Sequence, residues 1–234
     1  MSKGNKMMKQ ALLGFALAGL AAISAPAVAA EQTPAAGGRL PAAVQCLGHR
    51  DPNSFATLLR TSPFSMDERR EVQRLLPLLQ RCREGGGDEA FSASVPQLRA
   101  AVAAYLNSRD FAALPAARTP ALAPAPLLQV TLARTPAEVQ PLAATYTLFE
   151  CLTAAHPDLV RAYLATAPGS PEEQAGFRAL SPGLSACLPP GGSHQLALGG
   201  AALRGVLAEM LYRWSAVQRD GPASPFVTAP AAAH

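Results

Sequence analysis

Apolar side chains recur at spacings of three and four along most of the chain after residue 40, which is the pattern of amphipathic helices. Two such stripes are Leu142, Tyr146, Phe149 and Leu152, and Leu203, Leu207, Met210 and Leu211. β-Branched residues are sparse and show no sustained alternation, which argues against β-sheet. The pattern therefore predicts an all-α protein.

The helical pattern occurs twice, 105 positions apart and without a gap. Cys46 corresponds to Cys151 and Cys82 to Cys187, so the two cysteines of each copy are separated by 36 positions. Eighteen of the 61 positions from 46 to 106 are identical to their counterparts in 151–211. An Ala- and Leu-rich composition gives some matches by chance, but it does not align both cysteines in one register. The sequence predicts two tandem homologous helical repeats of about four helices each, residues 41–108 and 136–218.

One helix start is marked in the same way in both repeats. Ser65 and Glu68 in the first repeat, and Ser170 and Glu173 in the second, have the S-x-x-E spacing of a capping box. In that motif the serine hydroxyl accepts a hydrogen bond from a free backbone N–H, and the glutamate reaches back to another. A proline at the same later position of each copy is expected to kink or restart this helix.

The segments outside the repeats have different compositions. Residues 1–30 carry Lys3, Lys6 and Lys9, then an apolar run and small residues, which is the order of a secretory signal peptide. We predict a flexible mature N-terminus at 31–40, a Pro/Ala-rich linker at 109–135 and a disordered tail at 219–234.

Charge and hydropathy limit the partners. The three lysines of the signal segment are the only lysines, so the remainder has 17 arginines against 16 acidic residues. Nucleic-acid and anionic-membrane partners normally require a concentrated basic surface, and a net charge near +1 argues against both. No stretch after the signal has the length and apolarity of a membrane span. A periplasmic or secreted location is predicted.

The four cysteines are expected to form two disulfides, because exported proteins fold in an oxidising compartment. Three connectivities are possible, and duplication of a self-contained unit favours Cys46–Cys82 with Cys151–Cys187. Each bond then closes a loop that stabilises the fold by about 4 kcal/mol in the chain-entropy model. A metal site or a redox site would need closely spaced ligands such as C-x-x-C, and the chain has none. No metal ion is predicted.

Candidate catalytic residues are few. The histidines are His49, His156, His194 and His234, and none occurs at the same position in both repeats. The chain contains no G-x-S-x-G, H-E-x-x-H, phosphate-loop or dinucleotide-binding motif. The sequence therefore predicts no catalytic residue and no cofactor.

One arginine is shared by the two repeats, as Arg99 in the first and Arg204 in the second. Each opens the last helix of its repeat. We expect a structural role, in which the guanidinium pairs with a carboxylate or caps the carbonyls at the end of a neighbouring helix. Ligand binding is the alternative interpretation.

The second repeat resembles a known group of proteins in Cys151-Leu152, Pro157, Leu164–Glu173, Cys187 and Leu203–Tyr212. In these segments the chain is similar to exported proteins of sphingomonad-type alphaproteobacteria that carry a duplicated, cysteine-containing helical unit. The resemblance covers both repeats and is better in the second. It implies export and a duplicated helical fold, and it implies no catalytic activity.

Three functions are compatible with these features. The first is a non-catalytic interaction or assembly module of the cell envelope, with a protein partner that the sequence does not identify. The second is a periplasmic, hydrolase-like enzyme without a recognisable motif. The third is a small-ligand carrier that uses a cleft between the repeats. The oligomeric state is left open.

Overall fold

Eight α-helices make up most of the chain that the computed structural model describes, which is residues 34–82, 93–118, 122–128, 140–188 and 199–227. They are α1 Pro34–Arg50, α2 Ala56–Arg60, α3 Met66–Gln80, α4 Val95–Asp110, α5 Gln140–Ala155, α6 Pro157–Leu164, α7 Pro171–Cys187 and α8 Gly200–Asp220. The described residues contain no β-strand. The predicted all-α class is confirmed, with four helices in a first half (α1–α4) and four in a second half (α5–α8).

Local sequence signals explain the helix ends. Ser65 and Ser170 cap α3 and α7 by accepting the backbone N–H of the residue three positions later. Pro157 occupies the first turn of α6, where a missing N–H costs nothing. α8 ends at Gly221, whose φ of 64° requires a residue without a Cβ atom. α3 and α7 each continue past their internal proline, so neither restarts there.

A disulfide joins two helices within each half. Cys46 of α1 is bonded to Cys82, just beyond α3, and Cys151 of α5 is bonded to Cys187 at the end of α7. The predicted connectivity is confirmed. Each bond stays within its own half, so no disulfide joins the two halves.

The last helix belongs to both hydrophobic cores. One core contains the first-half helices together with Ala208, Tyr212 and Ala216 of α8. The other contains the second-half helices together with Leu203, Leu207 and other residues of the N-terminal part of α8. Helix α8 is therefore buried on nearly all sides, and the described residues belong to one compact unit.

Helices α4 and α8 pack against each other at corresponding positions. A Cβ atom added to Gly205 would lie 2.4 Å from the Cβ atom of Ala100, which is its counterpart 105 positions earlier. This is the contact expected where an approximate two-fold axis relates the two helices. The common origin of the two halves stays a prediction.

Both segments that were expected to be irregular have ordered parts. The tail was predicted to be disordered from residue 219, but α8 continues to Asp220 and Phe226 is buried at 4% exposure. Burial of this aromatic ring offsets the ordering of a short segment. α1 begins at Pro34, within the range 31–40 that was predicted to be flexible, and a proline suits the first turn of a helix. The predicted signal peptide lies outside the described residues.

Part of the predicted linker crosses the C-terminal segment of the chain. The N–H of Ala125 donates to the carbonyl of Phe226 at 2.8 Å, and the Gln218 side-chain amide donates to the carbonyl of Leu122. Leu127 is fully buried in the second core. The described residues of the linker are thus integral to the fold.

Candidate functional site

The serine and glutamate found in both halves lie at the start of α3 and of α7 and begin an equivalent polar site in each half. The Glu68 carboxylate accepts the N–H of Phe64 at 2.7 Å, and Glu173 accepts the N–H of Gly169 at 2.6 Å. A capping box would instead place the glutamate on the N–H of the capping serine. That N–H of Ser65 already donates to the carbonyl of Ser62, and Ser170 repeats the arrangement with Ala167. The expected boxes are therefore displaced by one residue.

In the first half, Arg99 binds the glutamate of this site. It projects from α4 and donates to Glu68 at 3.0 Å, to the Thr61 hydroxyl at 3.1 Å and to the Leu58 carbonyl at 3.1 Å. A further hydrogen bond of 3.3 Å reaches the carbonyl of Thr61. Arg99 thus ties the C-terminal end of α2 to the first turn of α3.

Arg204 makes the corresponding contacts in the second half. It projects from α8 and donates to Glu173 at 3.0 Å, to the Thr166 hydroxyl at 3.2 Å and to the Tyr163 carbonyl at 3.2 Å. It also donates to the carbonyl of Thr166 at 2.9 Å. Each of these partners stands 105 positions after its counterpart in the first half. The structure therefore repeats the same arginine site twice.

The two sites differ in one additional carboxylate. Glu209 of α8 accepts two hydrogen bonds from Arg99, one of them 3.0 Å long, and so links the halves across the α4–α8 contact. The position that corresponds to Glu209 in the first half is Ala104, so Arg204 has no such partner. Arg99 is buried with a side-chain exposure of 2%, whereas Arg204 retains 15%.

This difference in burial changes the ionisation of the equivalent glutamates. Removal from water raises the pKa of Glu68 above its ordinary value, although the Arg99 cation opposes the shift. The pKa of Glu173 is lowered, first by the hydrogen bond from the Gly169 N–H and then by Arg204. Burial disfavours the charge on Arg99 itself, but the Glu209 carboxylate still holds its pKa above the ordinary arginine value.

A second buried arginine, Arg213, has no counterpart in the first half. It donates to the carbonyl of Leu59 at 3.2 Å and to that of Ala125 at 2.7 Å, and its guanidinium lies over the ring of Phe226. Burial lowers the pKa of Arg213. Arg213 therefore holds the linker, the C-terminal segment and α2 together.

Sequence reasoning missed Glu209 and Arg213, because neither is repeated. The available signal was a pair of charges inside an otherwise apolar run, Val206–Val217, where charged side chains must find partners. Their partners are more than 80 residues away along the chain. Their positions could not be inferred without knowing how α4 and α8 cross.

A small cleft opens where α4, α5 and α8 meet. It is lined by residues that include Arg99, Tyr146, Gly205 and Glu209, and its volume is about 30 Å³. This is enough for about two water molecules, whereas sites for small ligands enclose several hundred Å³. The cleft between the halves therefore does not favour the carrier function at this place.

The described histidines are separate from this cluster. His49 is exposed and contacts the ring of Tyr105 edge-on, and His156 precedes α6 and packs close to Gly183. His194 and His234 lie outside the described residues. Across the described ranges, no group of three or more metal-ligating side chains comes together, and no helix is long and apolar enough to cross a membrane.

No protein-family model, curated protein or solved structure matches this chain. The resemblance to exported alphaproteobacterial proteins therefore stays a prediction.

Proposed function

We propose that this chain is an exported, non-catalytic helical protein, periplasmic or secreted, that acts as an interaction or assembly module. The observation that carries the non-catalytic part is the use of the two shared arginines. Both are bound to carboxylates, hydroxyls and helix-end carbonyls of their own fold. These contacts fix helices relative to one another. The repeated polar site is therefore accounted for by structure, and surface recognition is the role that we assign to the protein.

The disulfides support export. Bonds of this kind persist in oxidising compartments and are rare in the reducing cytosol. Each half carries one, and every cysteine of the chain is used. The lysines and the apolar run of residues 1–30 have the pattern of a secretory signal peptide, which would direct the chain out of the cytosol.

Export is tested by the redox state and the N-terminus of the protein in cells. The full chain is produced in a Gram-negative host beside a control that lacks residues 1–30. We expect the full chain in the periplasm or medium, cleaved near residue 30 and inert to thiol alkylation, and we expect the control in the cytosol with reactive thiols. Recovery of the full chain in the cytosol with reactive thiols would contradict export, and an intact N-terminus in envelope protein would contradict cleavage of a signal peptide.

The non-catalytic assignment is tested separately. Arg99→Met and Arg204→Met are compared with wild type for stability and for the binding of a partner captured by crosslinking. A structural role predicts loss of stability in both variants. Unchanged unfolding together with the loss of a hydrolytic activity would instead support the enzyme alternative.

A further inference from the structure

The corner between α2 and α3 carries an unusual backbone conformation. Phe64 has a φ of 68°, in the left-handed region, and is the one non-glycine residue with positive φ among those described. A bulky L-residue is rarely found there, because its Cβ atom crowds the backbone. The corresponding residue in the second half is Gly169, with a φ of 77°. The fold therefore needs this backbone geometry, and glycine is the residue that adopts it without strain.

Phe64 is also incompletely covered by the rest of the fold. It is 43% exposed, and Met66, two residues later, is 56% exposed. Three arginines lie close by in sequence and are exposed: Arg60, which ends α2, and Arg69 and Arg70 in α3. We name Arg60, Phe64, Met66, Arg69 and Arg70 the corner patch. Met66 shares a face of α3 with Arg69 and Arg70, because residues three and four positions apart are neighbours on a helix.

The second half provides an internal control for this patch. Its five corresponding residues are Ala165, Gly169, Pro171, Gln174 and Ala175, and all are exposed like those of the corner patch. The serine cap, the glutamate contact and the arginine beneath are the same in both corners. The apolar and basic side chains of the corner patch are thus not required by the turn that they stand on.

The charges of the corner patch indicate the chemistry of its partner. Arg70 pairs with Asp67 at 3.1 Å, whereas Arg60 and Arg69 contact no carboxylate among the described residues. The corner therefore has a net positive charge around two exposed apolar side chains. Phenylalanine, methionine and arginine are the residues that protein interfaces enrich, and binding energy is concentrated in aromatic and arginine side chains.

We infer that the corner patch is the docking surface for a partner protein, in which Phe64 and Met66 enter an apolar pocket rimmed by aspartate or glutamate. This inference rests on the proposed interaction function and specifies where that function is located. The strained phenylalanine is then kept for recognition, at a position where the fold alone would favour glycine. The second half, whose five corresponding residues carry no charge and no aromatic ring, does not take part in this contact.

The test begins with photo-crosslinking of the full chain in its own cells. A photoreactive residue is placed at position 66 in one variant and at position 171, the corresponding place of the second half, in the matched control. We expect one protein to be captured from position 66 and not from position 171. The captured protein is then purified and titrated against the purified chain, because capture alone does not establish the site.

Binding variants decide the inference. Phe64→Gly and Arg69→Gln are each expected to weaken binding of that purified protein by about tenfold or more, the effect of a central interface residue. Gly169→Phe should leave the affinity unchanged. Phe64→Gly copies the residue of the second corner, and Arg69 is exposed, so both variants should remain folded; a thermal melt verifies this.

Several results would overturn the inference. These are the absence of an adduct at position 66, equal capture from both positions, or wild-type affinity in Phe64→Gly. An adduct to a second copy of this chain would assign the corner patch to self-association, and co-sedimentation with phosphatidylglycerol vesicles that depends on Phe64 would assign it to a membrane surface. Either result would reject a different protein as the partner. Capture of a partner only through other surfaces would leave the proposed interaction function standing and reject the patch, so the two failures are distinguishable.

Discussion

Replacing the two shared arginines separately should show how much the extra carboxylate at one site matters. Arg99→Met removes the cation from two buried carboxylates, Glu68 and Glu209, whose side chains are 5% and 1% exposed. Breaking a buried ion pair from one side costs about 3–5 kcal/mol, because a charge is left unpaired away from water. We expect Arg99→Met to lie in this range, which is a large part of the 5–15 kcal/mol typical of a domain.

Arg204→Met should cost less. Its single carboxylate, Glu173, is 16% exposed and keeps the hydrogen bond from Gly169 when the arginine is removed. Hydrogen bonds to charged groups contribute about 1.5–3 kcal/mol, and partial access to water lowers this value. We expect a loss of about 1–2 kcal/mol.

Urea denaturation of the oxidised protein measures both losses. With a slope of about 2 kcal/mol/M, Arg99→Met should lower the unfolding midpoint by about 2 M and Arg204→Met by less than about 1 M. Arg70→Met is the control, because its ion pair with Asp67 is well exposed and such pairs contribute little. The double variant Arg99→Met/Glu209→Met should be more stable than the sum of its single variants predicts, since one unpaired charge is removed.

The reasoning would be refuted if Arg99→Met and Arg204→Met had equal, small effects. It would also fail if Glu209→Met added its full cost to that of Arg99→Met, since that would mean the two groups are not coupled.

Three further predictions concern the same framework. Burial raises the pKa of Glu68, so the pH-dependent stabilisation by Glu68 is complete below about pH 4.5 and is lost as the pH rises through the folded-state pKa. The pKa of Glu173 is lowered, so the stabilisation by Glu173 is complete above about pH 4.5 and is lost as the pH falls through the folded-state pKa. From pH 3 to 7, the urea midpoint lost relative to wild type should therefore shrink for Glu68→Gln and grow for Glu173→Gln. Changes in the same direction would contradict these assignments. Gly205→Ala should destabilise the fold by about 1–3 kcal/mol through overpacking against Ala100, and adding Ala100→Gly should recover most of the loss in a thermal melt. Replacing either disulfide by two serines should cost about 4 kcal/mol in urea denaturation, and an unchanged midpoint would show that the bond is not a constraint on the unfolded chain.

The sequence was most informative wherever a feature is repeated. The all-helical class followed from the spacing of apolar residues, and the cysteine connectivity followed from the equal separation of the cysteines within each half. Arg99 and Arg204 were singled out because they stand at corresponding positions of the two halves, and the structure places each on a glutamate and on helix-end carbonyls. Local signals sufficed for the serine caps, because a cap involves only its own helix.

Unrepeated long-range contacts could not be predicted. The hydrogen bond from Arg99 to Glu209 depends on how α4 and α8 cross. The ordered conformation of residues 219–227 depends on the apolar pocket that the linker and α8 form around Phe226. The conformation of Phe64 was missed for another reason. A phenylalanine gives no signal for positive φ, and only its alignment with Gly169 could have suggested it.

The position of α8 in the chain has a consequence for how the protein is made. Synthesis delivers the N-terminus first, yet the first half gains part of its core and the carboxylate facing Arg99 only from residues 208–226. Until residues 208–226 have been synthesised, the first half therefore lacks part of its core, and one side of α4 is uncovered. A nascent or truncated chain that stops before residue 200 has neither core complete, because both cores include residues of α8.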